Sequence, residues 1–146
     1  MSKWIWWDMD GTIANLYSVE DWLPKLIAGD ASPYLTAAPM VNMNVLARKI
    51  RFLQAKGYKV GIISWLSKNS TPEYDAKVTA AKLKWLSVHL KSVKWDAVNI
   101  KAYGTNKWMV CREGILFDDE KPNRDSWGGA AYHPENMMNV LSNLTV

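Results

Sequence analysis

The sequence predicts a layered α/β domain in which helices cover a parallel sheet. Three observations support this fold class. Short apolar runs that suit buried strands recur along the chain, stretches with helical periodicity separate them, and polar residues directly follow the strands. With 146 residues the chain can bury a sizeable core, and no linker, low-complexity tract or repeat divides it. We therefore expect a single domain spanning residues 1–146.

The chain opens with an expected strand at residues 3–8, where an apolar run leads into acidic residues. Residues 20–39 predict a short helix followed by a turn-rich segment. A longer helix is predicted for residues 40–56, because apolar side chains recur there at helical spacing and Gly57 follows as a C-terminal stop.

The next strand and helix carry clearer signals. Residues 58–64 are apolar nearly throughout, which is typical of a strand covered on both faces. The following helix has two candidate N-caps, since Ser70 fits a capping box with Glu73 and Thr71 could cap instead. Its predicted buried face consists of Ala76, Ala80, Leu83, Leu86 and Leu90, with Lys77, Lys82, Lys84 and Lys91 off that face. We expect an amphipathic helix with a solvated basic side.

The remaining elements repeat the alternation. Strands are expected at residues 95–103 and 114–119, a short strand near 129–133, and a closing helix at 134–144. Strands that alternate with helices imply right-handed crossovers and a parallel sheet. Ligands of such sheets bind at the carboxyl ends of the strands, where the winding direction changes.

Charge is unevenly distributed along the chain. The formal net charge is +4, and residues 77–107 contain seven lysines against the single acidic residue Asp96. A solvated basic helix face is the expected explanation, and long-range attraction of anionic substrates is the alternative.

The cysteine content and the N-terminus predict an intracellular protein. Cys111 is the one cysteine, so no internal disulfide can form, and acidic residues interrupt the N-terminus before a signal-peptide core could be built. No apolar run approaches the roughly 18–20 residues of a transmembrane helix. We expect a cytoplasmic protein that has no membrane partner.

Polar side chains from three separate segments are predicted to meet at one edge of the sheet. Asp8, Ser64 and the pair Asp118-Asp119 all fall at the carboxyl end of an expected strand. Asp10 follows Asp8 closely, and Gly11 lets the chain turn so that both carboxylates can face one cavity. The sequence therefore predicts an acidic site at this edge.

Such a site calls for a cation, because clustered carboxylates raise each other's pKa unless one is bound. Oxygen ligands without accompanying His or Cys indicate Mg²⁺, which leaves coordination sites for water and phosphate. His89 and His133 lack metal-pair spacing and are expected to have structural or surface roles. A zinc site is not expected.

The pair of aspartates suits phosphoryl transfer. With Mg²⁺ neutralising a phosphate, Asp8 could act as a nucleophile and form an aspartyl-phosphate. Asp10 could then protonate the leaving oxygen and later activate water. Ser64 could donate its hydroxyl to a phosphoryl oxygen, and a lysine could balance the charge on the transferring group.

Three motifs resemble those of the haloacid dehalogenase (HAD) superfamily of phosphotransferases. Asp8-Met9-Asp10-Gly11-Thr12 is similar to the first signature, Ser64 after Val60-Gly61-Ile62-Ile63 to the second, and the acidic pair after Ile115-Leu116-Phe117 to the fourth. The resemblance implies a Rossmannoid three-layer sandwich with a central parallel sheet of about five strands and a small cap insert.

The resemblance also implies roles for individual residues. Asp8 would be the nucleophile and a metal ligand, and Asp10 the general acid/base that binds the metal through its backbone carbonyl. Asp118 would be the direct third ligand and Asp119 would assist through water, although those two roles could be exchanged. Lys107 is the chosen third-motif lysine and would bind phosphate. Lys101, on an expected strand, is the alternative.

The substrate is expected to be a small phosphorylated molecule, with a nucleotide favoured. The short cap predicted at about residues 15–39 and the layout around the acidic pair resemble the 5'(3')-deoxyribonucleotidase branch and its phage and bacterial relatives. Thr12, Tyr17, Trp22 and Trp65 are candidate substrate contacts. Aromatic packing within the cap is the other explanation for Tyr17 and Trp22.

Two further functions stay open at this stage. The lysine-rich segment 77–107 could track a nucleic-acid backbone, which would make the protein a phosphatase of polynucleotide ends with strongly salt-dependent activity. A non-catalytic nucleotide-binding or partner protein on the same fold is the other alternative. A homodimer is also open, since a partner subunit could complete the lid.

Overall fold

A computed structural model describes residues 3–145 of the chain. The strands in this range are β1 (Trp4–Trp7), β2 (Ala14–Asn15), β3 (Ala38–Pro39), β4 (Lys59–Trp65), β5 (Ala97–Lys101), β6 (Ile115–Phe117) and β7 (Ala131–Tyr132). The helices are α1 (Trp22–Ile27), α2 (Ser32–Thr36), α3 (Met43–Ala55), α4 (Pro72–His89), α5 (Lys107–Cys111), α6 (Lys121–Asp125) and α7 (Met137–Leu144). Short 3₁₀ turns lie at Leu16–Ser18 and Pro134–Asn136.

Five strands form one parallel sheet in the order β5-β4-β1-β6-β7. β1 is central, with Trp6 aligned to Gly61 of β4 on one side and to Leu116 of β6 on the other. After β1 the chain adds β4 and β5 on one side of the sheet and then β6 and β7 on the other side of β1. The winding direction therefore changes at β1. The predicted fold class is confirmed: this is an α/β Rossmannoid fold with a five-stranded parallel sheet flanked by helices.

The two faces of the sheet are covered differently. Side chains alternate along β1, so Ile5 and Trp7 enter one apolar cluster while Trp6 enters another. The first cluster is large and is filled by residues of α3, α4 and α7. The second is small and is built around Trp6, Leu116 and Trp127. Several of the tryptophans therefore serve as core packing at the two faces of the sheet.

Capping side chains set the helix starts. α3 begins three residues later than predicted, because the Asn42 side chain accepts the backbone N–H of Val45 at 3.0 Å and caps the helix there. Of the two candidate caps for α4, Thr71 is the one used, and its hydroxyl accepts a backbone N–H of the first turn at 3.1 Å. The Ser70 hydroxyl instead donates to Asp75.

The buried face of α4 differs from the predicted one. Its buried side chains are Tyr74, Val78, Lys82, Trp85 and Leu86. Leu83 is 46% exposed, and Ala76 and Ala80 are exposed as well. Apolar residues occur on more than one side of this helix, so periodicity alone does not identify the side that packs. Lys82, predicted to lie off the apolar face, is buried.

An insert, residues 16–37, leaves the sheet between β1 and α3. β2 and β3 pair antiparallel at its base, and it carries the two short helices α1 and α2 where one was predicted. Tyr34 of the insert packs against Tyr74 and Val78 of α4. The insert is therefore seated on the N-terminal half of α4.

Within residues 3–145, no helix is both long enough and apolar enough to cross a membrane.

Candidate active site

The loop after β1 turns two aspartates toward one cavity. The carbonyl oxygen of Met9 accepts the backbone N–H groups of Thr12, Ile13 and Ala14, each at 3.0 Å, so the chain folds back immediately after the strand. Gly11 adopts a φ of +80° in this loop. Asp8 and Asp10 both line the resulting cleft.

Lys107 joins two of the strand ends. Its buried ammonium donates to Asp8 Oδ1 at 2.9 Å and to Asp118 Oδ2 at 2.7 Å. Lys107 is the first residue of α5, a helix that the sequence did not predict, and Asn106 caps that helix by accepting the N–H of Met109. The two carboxylates raise the pKa of Lys107 against the opposing effect of burial. Lys101, the alternative third-motif lysine, is exposed at the end of β5.

The acidic pair after β6 is held by its own loop and by α6. Asp118 Oδ1 accepts the backbone N–H of Glu120 at 2.9 Å, and Asp118 Oδ2 accepts the side-chain amide of Asn123 at 3.1 Å as well as Lys107. Asp119 Oδ1 is buried without a hydrogen-bond partner among the described residues. Asp119 therefore offers the freer oxygen of the two. Asn123 was not identified from the sequence, because a single polar residue in a five-residue helix carries no periodic signal.

The donor set fits a hard divalent cation. Carboxylate oxygens of Asp8, Asp118 and Asp119 lie within 4.8 Å of one another. Together with Asp10, four carboxylates face two buried ammonium groups among the described residues, those of Lys82 and Lys107, which leaves two negative charges when all four carboxylates are ionised. One divalent ion would balance them, and the unpartnered oxygen of Asp119 is suited to bind it.

The charge imbalance predicts how the stability of the metal-free protein depends on pH. Burial, together with the charge of Asp8, raises the pKa of Asp118 to about 6 and that of Asp119 to about 8. The folded protein therefore binds these protons more tightly than the unfolded chain, whose aspartates titrate near pH 4. The free energy of unfolding in EDTA should fall as the pH rises from about 4 to about 8.

Urea unfolding in EDTA at about pH 5 and about pH 8 measures this dependence. Asp119→Asn should show a smaller fall than the wild type, because it removes the carboxyl with the larger shift, and saturating Mg²⁺ should flatten the wild-type dependence. If the free energy of unfolding fell equally in the wild type and the variant, Asp119 would not be the carboxyl with the larger pKa shift.

Gly11 gives a second prediction, because a side chain at this position would collide with Asp119. A Cβ atom at this position would overlap Asp119 Oδ2. Gly11→Ala should therefore displace Asp119 and weaken Mg²⁺ binding by about 10-fold or more, as measured by calorimetric titration. Gly29→Ala is the matched control, since Gly29 has the same φ of +80° but no atom within 4 Å of the added Cβ. Equal losses of affinity in both variants would argue against a role for Asp119 at the metal.

Asp10 is paired with a lysine that the sequence placed on the surface. The Lys82 ammonium donates to Asp10 Oδ2 at 2.8 Å, to Ser64 Oγ at 2.6 Å and to the Trp65 carbonyl at 2.7 Å. Burial raises the pKa of Asp10, and the charge of Lys82 opposes that shift. Ser64 has no exposed surface, and its hydroxyl accepts from Lys82 instead of lining the cleft. Its contact with phosphate stays a prediction.

Thr12 supports the carboxylates from within the protein. It is fully buried, donates to Asp8 Oδ2 at 3.0 Å and accepts the backbone N–H of Asp119 at 3.2 Å. It does not line the cleft. The structure thus gives Thr12 a position behind the site, which differs from the substrate contact expected from the sequence.

The cleft itself has a volume of about 490 Å³, and its lining combines polar and charged residues with aliphatic and aromatic side chains. Tyr17 and Trp22 of the insert meet edge to face, with ring centroids 5.1 Å apart. The ring centroids of Trp65, the last residue of β4, and Tyr103, two residues after the end of β5, lie 5.0 Å apart. The three aromatic residues predicted as substrate contacts therefore line the cleft, and Tyr103, which was not predicted, joins them.

Comparison with known proteins adds a likeness of fold. No protein-family model matches the sequence, and no curated protein matches it. Among solved structures, the D,D-heptose 1,7-bisphosphate phosphatase from Burkholderia thailandensis aligns with a TM-score of 0.51 at 13% sequence identity, over 86% of this chain and 71% of that chain. At this identity the likeness shows a shared fold.

Proposed function

We propose that this protein is a Mg²⁺-dependent phosphomonoesterase that acts through an aspartyl-phosphate on Asp8, with nucleoside 5'-monophosphates as the substrate class. The observation that carries the proposal is the buried link from Asp8 through Lys107 to Asp118, which lines the same cleft as Asp119 and several aromatic side chains. The name of the fold neighbour, a phosphatase, supports the same class of reaction.

In the first half of the reaction, a carboxylate oxygen of Asp8 attacks the phosphorus atom. A bond forms between that oxygen and phosphorus while the ester P–O bond breaks. Asp10 gives its proton to the leaving oxygen, so the alcohol departs neutral. Burial raises the pKa of Asp10, which favours the protonated form that this step needs.

In the second half, the Asp10 carboxylate takes a proton from water as the water oxygen attacks phosphorus. The bond from Asp8 to phosphorus then breaks, which releases inorganic phosphate and returns Asp8 to its free carboxylate. Both steps require Asp8 and Asp10 to face the same phosphorus atom, and the turn after β1 directs both side chains into one cleft.

The metal would be held by the carboxylates of Asp8, Asp118 and Asp119 and by the backbone carbonyl of Asp10. Among the loop and turn hydrogen bonds of the described residues, none is accepted by this carbonyl. The chemistry that Mg²⁺ supplies when bound is neutralisation of the phosphoryl charge that would otherwise repel the carboxylates. The freer oxygen of Asp119 supports it as a direct ligand, with Asp118 held more tightly by the protein.

Phosphate would be held mainly by Lys107. Two of its three N–H donors are used by Asp8 and Asp118, and the third remains for a phosphoryl oxygen. Lys68 also lines the cleft and is exposed, so it can meet an incoming anion.

The aromatic walls support a nucleoside as the leaving group. A volume of about 490 Å³ lies in the range of small-molecule sites, and the faces of Trp65 and Tyr103 suit stacking on a base. The alternative of a polynucleotide substrate is weakened, because Lys82 and Lys107 are buried and only five of the seven lysines of residues 77–107 remain on the surface.

Phosphate release from a panel of compounds tests the proposal. The panel contains nucleoside monophosphates, phosphosugars and 5'- or 3'-phosphorylated oligonucleotides, each with Mg²⁺ or EDTA. Mg²⁺-dependent release that is fastest from mononucleotides supports it. Fastest release from oligonucleotides with steep salt dependence would indicate end processing instead, and fastest release from phosphosugars would overturn the nucleotide assignment. No release from any compound would leave a binding protein on this fold.

A further inference from the structure

Lys82 is the buried charged group whose role the phosphatase chemistry does not yet explain. It lies in the middle of α4, and its side chain has 0% exposure. Each of its three N–H donors has an acceptor: Asp10, Ser64 and the carbonyl of Trp65. Because no donor is left over, the ammonium is fixed in one place and has none to offer a substrate.

Packing alone does not account for a lysine at this position. An ammonium taken fully out of water is costly, and an apolar residue of similar volume is often as stable as a buried ion pair. The neighbouring positions on the same face are apolar or aromatic, such as Val78 and Trp85. The charge is therefore best explained by what it does to its partners.

The partner that matters for chemistry is Asp10. Among the described residues, Lys82 makes the one side-chain hydrogen bond that the Asp10 carboxylate receives, and it engages Oδ2. The other carboxylate oxygen is left for the cleft, which Asp10 lines with 18% of its side chain exposed. The orientation of Asp10 thus depends on Lys82.

The two aspartates of the first motif, Asp8 and Asp10, are each hydrogen-bonded to a different buried lysine. Lys107 holds Asp8 together with Asp118, whereas Lys82 holds Asp10 together with Ser64. The two lysines share no acceptor. The effects of removing them should therefore appear at different groups, the nucleophile and metal ligands in one case and the acid/base in the other.

We infer that Lys82 is a positioning residue: it fixes the Asp10 carboxylate so that one oxygen points to the reacting phosphoryl group. This inference rests on the proposed function for its effect on rate. The contact between Lys82 and Asp10 can be tested without turnover.

Lys82 also contacts the insert, since its ammonium lies over the Tyr34 ring, 5.0 Å from the ring centroid.

The kinetic test compares Lys82→Met with the wild type and with Lys84→Met, an exposed lysine of the same helix. Lys82→Met should lower kcat by about 10²-fold, since a displacement of about 1 Å in a reacting group can cost that much, and should leave KM nearly unchanged. In the Asp10→Asn background, Lys82→Met should cost less than about 3-fold, because its target is already gone. Effects that multiply independently, or a rise in KM with kcat unchanged, would overturn the inference.

Lys82→Met leaves the buried Asp10 carboxylate unpaired, which can destabilise the fold. The stability of Lys82→Met is therefore compared with that of the double variant Lys82→Met/Asp10→Asn. The double variant removes both charges and should unfold at a higher urea concentration than Lys82→Met alone. If Lys82→Met does not fold, the double variant compared with Asp10→Asn alone still decides the question, because a further large loss of kcat would contradict positioning through Asp10.

A crystal structure of Lys82→Met supplies a readout independent of activity. The Asp10 carboxylate should leave its position or occupy several rotamers, while Lys84→Met should keep it in place. An unmoved, fully ordered Asp10 would refute the inference. If the wild type releases no phosphate from any compound, the proposed function fails, and this structure still decides whether Lys82 positions Asp10.

Discussion

Asp8→Asn is expected to lower phosphate release from the best substrate by at least about 10⁴-fold, because it removes the nucleophile and leaves only binding and positioning. Asparagine has nearly the same size and can still accept the Thr12 hydroxyl that now bonds Asp8. The fold should therefore survive. Removing one carboxylate from the acidic cluster should also relieve repulsion on Asp118 and Asp119 in EDTA, since the charge of Asp8 raises the pKa of both.

The control for Asp8→Asn is Asp125→Asn, an exposed aspartate whose ion pair with Lys121 lies on the surface. It should retain wild-type activity. Steady-state rates with Mg²⁺ and urea unfolding in EDTA, measured on the same preparations, separate lost chemistry from lost folding. Activity of Asp8→Asn within about 10-fold of the wild type would exclude Asp8 as the nucleophile.

Lys107→Met is expected to have the largest effect on stability. Removing this ammonium leaves Asp8 and Asp118 buried beside each other without a cation, and breaking a buried pair in this way costs about 3–5 kcal/mol. Urea unfolding in EDTA near neutral pH measures the loss. Mg²⁺ should restore part of the stability, because it supplies positive charge to the same carboxylates.

Lys101→Met is the matched control, since Lys101 was the alternative third-motif lysine and is exposed. It should change the free energy of unfolding by less than about 0.5 kcal/mol and leave activity intact. A larger loss from Lys101→Met than from Lys107→Met would reverse the choice between the two lysines.

The sequence predicted the framework of the sheet for a simple physical reason. Parallel strands buried on both faces read as short apolar runs, and the residue after each run must lie at one edge. Asp8 and Asp118 follow such runs, so their meeting could be expected before any coordinates. The structure brings them together with Lys107, while their catalytic roles remain proposals.

What the sequence missed depends on tertiary contacts or on very short elements. α5 and α6 have five residues each, too few for a periodic pattern to appear, and they place Lys107 and Asn123. Lys82 lies beside the apolar face that the sequence predicted for α4 and was therefore expected to be solvated, whereas on the face that packs it lies between Val78 and Trp85. Its burial follows from acceptors on other segments, the strand ends that carry Asp10 and Ser64, which local pattern cannot reveal.

The most direct test of the central claim is to trap the covalent intermediate. Asp10→Asn removes the acid of the first half of the reaction and the base of the second, so the trapping substrate is an aryl phosphate, whose leaving group needs no proton. With this substrate the aspartyl-phosphate should still form, and its hydrolysis should be slow. The protein is mixed with Mg²⁺ and the aryl phosphate, quenched in acid, treated with hydroxylamine and analysed by peptide mass spectrometry. We expect a hydroxylamine-reactive phosphoryl group on Asp8 in Asp10→Asn, and none in Asp8→Asn. Phosphate release by the wild type with no phosphoryl group trapped, or with one on another residue, would contradict the account.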